Sequence, residues 1–111
     1  MGIKKDAGEL LVFMYNKYIE GDGKIDEVIV KEATKWDAGR INRAIDYLED
    51  IDAIKIIKFT GQTEGLRNFV ITDIKKTGID MIEDGVKFKR NFGIEVGIPG
   101  LFKFSWGASE R

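Results

Sequence analysis

The segment from Asp37 to Asp84 constrains this chain most. An amphipathic helix, two β-rich runs joined by a glycine-bracketed polar turn, and a short closing helix follow one another without interruption. Asp37 is a good N-cap for a helix ending near Asp50. Ile41, Ala44, Ile45 and Leu48 make one apolar stripe along it. Ala53–Phe59 (AIKIIKF) and Leu66–Ile71 (LRNFVI) read as strands around the polar turn Thr60–Gly65. Thr72 and Asp73 then cap a helix over Ile74–Glu83, with Ile79 and Ile82 facing in. Local periodicity thus switches from helical to alternating and back, and the fold class expected is α+β.

Two helices precede this segment. The first is expected from Lys5 to Glu20, with Leu10, Leu11, Phe13, Met14, Tyr18 and Ile19 inward and Asp6, Glu9, Asn16 and Lys17 outward. Gly21-Asp22-Gly23 stops it. The second runs from Asp26 to Lys35 and buries Val28, Ile29 and Ala33. Trp36 then sits in a tight turn, where a large ring is better suited to closing the core than to anchoring a partner.

A chain of 111 residues is one domain by size. It holds no Cys and no His, which removes disulfides, thiolate metal sites, the commonest metal ligand and the commonest general base together. Carboxylates are plentiful but nothing pairs them across a cleft, and no Ser has an activating partner, so an enzyme is not expected and no cofactor is implied. The turn Glu20–Asp26 imitates the middle of an EF-hand loop. Aligned on Gly23, however, it puts Tyr18 and Ile29 where the two anchoring carboxylates belong, and calcium needs six to eight oxygens. No metal site is expected. Gly21–Gly23 and Gly93–Gly100 lack the setting of a phosphate loop. No apolar run approaches the roughly 20 residues of a membrane span. Asp6 and Glu9 break what would be the apolar core of a signal peptide, so the expected home is cytoplasmic.

The passage ITDIKKTGIDMIED resembles the strand-to-helix segment, of the form L-T-x-x-G-x-x-L-L-E, that closes the wing in many winged-helix transcription regulators. Together with the element order and the Asp37-capped helix, the resemblance covers about Lys5 to Asp84. It implies a winged helix-turn-helix, with three helices, a two-stranded wing turning at Gly61–Gly65, and a short closing helix. It further implies a small dimeric regulator of transcription bound to double-stranded DNA. Base reading would fall to Arg40, Asn42 and Arg43, whose side chains suit bidentate contacts with guanine and adenine. Backbone contacts would fall to Lys58, Gln62, Thr63 and Arg67. The plain alternative is that Arg40 and Arg43 solvate an exposed face and pair with Asp37 or Asp46.

Charge tempers that implication. The net charge is −1, with 13 basic and 17 acidic residues through Asp84 and five basic against two acidic from Gly85 onward. A nucleic-acid binder usually shows a basic footprint over its reading face. Residues 85–111 read as a separate piece, a basic linker at Lys87–Arg90 and an aromatic β-like tail. The linker could steer the tail toward an anionic partner or lipid surface. Phe92, Ile94, Phe102, Phe104 and Trp106 are the candidate partner-binding residues, for a second copy or another protein. A winged-helix-derived interaction module using this tail, ordered only on meeting its partner, is therefore the second function to weigh.

Overall fold

The computed structural model describes residues 2–21 and 23–94. Its elements are α1 (Ile3–Glu20), β1 (Ile25–Asp26), α2 (Glu27–Thr34), α3 (Ala38–Asp50), β2 (Ile54–Thr63), β3 (Leu66–Ile74), α4 (Lys76–Glu83) and α5 (Gly85–Phe92). The architecture is α+β, with the helices around a three-stranded antiparallel sheet of order β1-β3-β2.

Helix α3 follows its sequence pattern. The Asp37 carboxylate accepts the Arg40 backbone N–H at 2.8 Å. Ile41, Ala44, Ile45 and Leu48 are all buried, and Trp36 is core at 6 % exposure. The two earlier helices depart from theirs. On α1 the inward stripe is Ala7, Leu10, Leu11, Met14 and Tyr15, while Tyr18 and Ile19 are exposed. Asp6 and Glu9, expected outside, are buried because cations reach them: Lys5 for Glu9 and, from α3, Arg40 for Asp6. On α2 the buried residues are Val30 and Thr34, and Val28 and Ile29 face outward. A strand that no periodicity announces explains the shift. Ile25 and Asp26 pair with Ile71 and Val70 on β3, and the Asp26 carboxylate then caps α2 by accepting from Ile29 N–H at 3.0 Å. Sheet pairing and cap together set the rotation of that helix.

The hairpin is longer than its apolar runs. Strand β2 continues to Thr63, leaving Glu64 and Gly65 as the turn. Both have positive φ, 54° and 87°, as a two-residue turn matching the twist of the strands requires. Between Lys58 and Gln62 the strand holds two more residues than its partner between Phe69 and Arg67, and Gly61 sits in that bulge with φ 97°. Strand β3 also outruns its expected end. It carries Thr72 and Asp73 in the sheet, so α4 starts at Lys76 and has no side-chain cap.

The segment read as a basic linker is a helix. The Asp84 carboxylate accepts Val86 and Lys87 N–H at 3.1 and 3.2 Å, and Phe88 and Phe92 are 0 % and 1 % exposed. Their rings lie 4.8 Å apart, and Phe92 meets Tyr47 edge-on at 6.4 Å. The core therefore runs past the expected boundary at Asp84. Phe92 is committed to it, and Ile94, half-buried, packs against it. Phe102, Phe104 and Trp106 lie outside the described residues. Among the described residues no helix is long and apolar enough to cross a membrane.

Helix α5 docks on α1 and α4. On the α1 side Gly8 makes the approach possible, since a Cβ there would fall 2.7 Å from Phe92 Cβ and 2.9 Å from its Cγ. On the α4 side of the core, the Tyr15 hydroxyl donates to Glu83 at 2.5 Å. Burial, with help from that bond and the Glu83 charge, pushes the phenol up to about 12. Gly8→Ala should lower stability by about 1–2 kcal/mol, because overpacking against Phe92 outweighs the gain in helix propensity. Denaturant unfolding reads this directly. A more stable variant would mean that α5 is free to shift and is not seated on Gly8.

Candidate functional site

The side chains that the winged-helix resemblance sends to DNA lie on α3 and on the β2–β3 hairpin, and the structure gives most of them other work. Arg40 turns back toward α1. Its Nε donates to Asp6 Oδ2 at 2.8 Å and its Nη2 to Asp6 Oδ1 at 3.0 Å, while the guanidinium lies 4.1 Å over the Trp36 ring. Those hydrogen bonds hold the guanidinium above its ordinary pKa; the charges of Asp6, Glu9 and Asp37 assist, and burial opposes. The expected partners were Asp37 or Asp46. The actual one is 34 positions away.

Asn42 reaches the hairpin and not outward. Its Nδ2 donates to Gly65 O at 2.9 Å and its Oδ1 accepts from Arg67 N–H at 3.2 Å, so one amide grips both sides of the turn. Arg67 in turn places Nη1 on both Asp46 oxygens, at 2.7 and 2.8 Å. Lys58 lies 2.6 Å from Glu49 and 3.6 Å from Asp46. The Glu49 hydrogen bond is the main reason its ammonium sits above the ordinary value. Arg43, Gln62 and Thr63 are exposed, and Arg43 makes no hydrogen bond or ion pair among the described residues. Four of the seven expected contacts are thus held internally, and three remain open to solvent.

Sequence reasoning missed the cleft beside them. A space of about 450 Å³ lies between α2, the start of α3 and the hairpin tip, lined by Glu27, Val28, Glu32, Asp37, Glu64 and Leu66, with Lys31 at its side. Its carboxylates divide in two. Glu27 accepts from Phe69 N–H at 3.0 Å and Asp37 caps α3. Glu32 and Glu64 make no hydrogen bond or ion pair among the described residues. Lys31, whose ammonium donates to Trp36 O at 2.5 Å, sets one positive charge against these four carboxylates. The result is an apolar floor under a net negative rim. Glu32 and Glu64 are far apart in sequence, and no spacing could have paired them.

No cluster of three or more possible metal ligands occurs among the described residues. Asp22, in the calcium-loop look-alike, lies outside them. No protein-family model, curated protein or solved structure matches the chain.

The Asn42 grip makes the hairpin and α3 one unit. Asn42→Ala removes both bonds and should cost about 1 kcal/mol, with faster amide exchange at Arg67 than in the parent protein. Unchanged protection at Arg67 would mean that strand pairing alone holds the hairpin in place.

Proposed function

We infer that the chain is a winged helix-turn-helix domain whose α3 and hairpin face serves protein recognition and not base reading. The fold half of this reading draws on the sheet order β1-β3-β2, in which the strand before α2 joins the hairpin that flanks α3. The functional half draws on one observation: Arg40, Asn42, Lys58 and Arg67 hold intramolecular bonds. DNA affinity comes largely from cations that neutralise phosphates. A cation already paired with a carboxylate must break that pair before it can contribute. The unpaired Glu32 and Glu64 beside this face add repulsion to a polyanion.

The second reading is a DNA-binding regulator of transcription, dimeric because so few contacts would bind weakly. Arg43, Gln62 and Thr63 favour it, being exposed on α3 and the hairpin. A fluorescence-anisotropy titration with random duplex DNA at low salt separates the two. Protein recognition predicts no saturable binding. Salt-sensitive binding that Arg43→Ala weakens by about 1–3 kcal/mol would restore the DNA reading.

A further inference from the structure

We propose that the acidic cleft receives the outer face of α5 from a second copy of this chain, so that copies associate head to tail. This rests on the protein-recognition reading and names the partner. Three observations carry it. The cleft between α2 and the hairpin tip presents Val28, 51 % exposed, below the unpaired carboxylates of Glu32 and Glu64. Helix α5 presents the complement. Phe88 and Phe92 point inward, and Val86, at 67 % exposure, lies beside Lys87 and Arg90 on the opposite face. Lys87 and Arg90 have no ion pair among the described residues.

On the hairpin and α3, Lys58 and Arg67 pair internally with Glu49 and Asp46. Glu32 and Glu64 at the cleft, and Lys87 and Arg90 on α5, make no ion pair among the described residues, and each pair flanks an exposed valine. A helix cannot reach the cleft of its own chain while Phe88 and Phe92 hold it against Gly8 of α1. The two surfaces are complementary in charge, and they can meet only between molecules. Cleft and helix face are different surfaces, so the contact is heterologous and can continue into rings or chains. Two helical turns in a groove make a small interface, and the association is weak and salt-dependent.

Sedimentation of the full chain up to high-micromolar concentration tests this. Raising salt from about 0.01 M to about 1 M shortens the screening length from roughly 30 Å to 3 Å, and association should fall at least about tenfold. Glu32→Gln with Glu64→Gln disables the cleft, and Lys87→Gln with Arg90→Gln disables the helix. Each double variant alone should be monomeric. Mixed in equal amounts they should form a discrete one-to-one pair, because one retains the helix and the other the cleft. A monomeric parent protein at low salt overturns the proposal, even if it binds a lysine-rich peptide, which would point to a different basic partner. So does association that both variants retain, which would place the contact elsewhere. Either failure removes the second copy as partner, while the DNA titration separately decides whether the face recognises protein at all.

Discussion

The pairing of Asp6 with Arg40 sets the relation between α1 and α3 on which the rest of this structure depends. Removing a carboxylate from water is costly, and a buried one persists only where good geometry compensates it. Arg40 supplies that geometry with two parallel hydrogen bonds, and its guanidinium stacks on Trp36. The pair ties the buried face of α1 to the first turn of α3, next to the Asp37 cap. With α3 rotated in this way, Ile41, Ala44, Ile45 and Leu48 meet the core, and Asp46 and Glu49 face the hairpin.

The hairpin's cations then have a destination. Arg67 and Lys58 settle on Asp46 and Glu49, and Asn42 closes over the turn. These pairs are well exposed, and exposed ion pairs contribute little stability. Their effect is orientation and charge cancellation: the long hairpin is held along α3, and the cations beside it face carboxylates of the same chain. Two charged surfaces stand apart from this network: the carboxylates of Glu32 and Glu64 at the cleft and the cations Lys87 and Arg90 on α5.

Elements governed by local rules were legible in the sequence. Helix α3 carries its cap and its stripe in consecutive residues, and Gly65 marks the turn. Elements governed by distant partners were not. The buried face of α1 was misplaced because Asp6 looks like a surface residue until Arg40 is beside it. The face of α2 was misplaced because its rotation follows from a two-residue strand, too short to show a period. Helix α5 was within reach. Asp84 is a good cap, and Phe88 and Phe92 stand four positions apart, but the basic run around them drew attention to charge instead. At the candidate site, the side chains singled out by residue type lie together on α3 and the hairpin. Their roles there depend on pairings between different elements, as far as 34 positions apart, which no spacing rule encodes.

A double-mutant cycle on Asp6 and Arg40, read by denaturant unfolding, tests the account most directly. Asp6→Asn, Arg40→Gln and the double variant isolate the coupling between the two side chains from their separate packing. The account predicts a coupling of roughly 1–3 kcal/mol, with each single change destabilising the domain. Additive effects, with coupling near zero and Arg40→Gln as stable as the parent, would contradict it. Arg40 would then be an exposed arginine free to meet a ligand, and the case against a DNA-reading face would lose its strongest member.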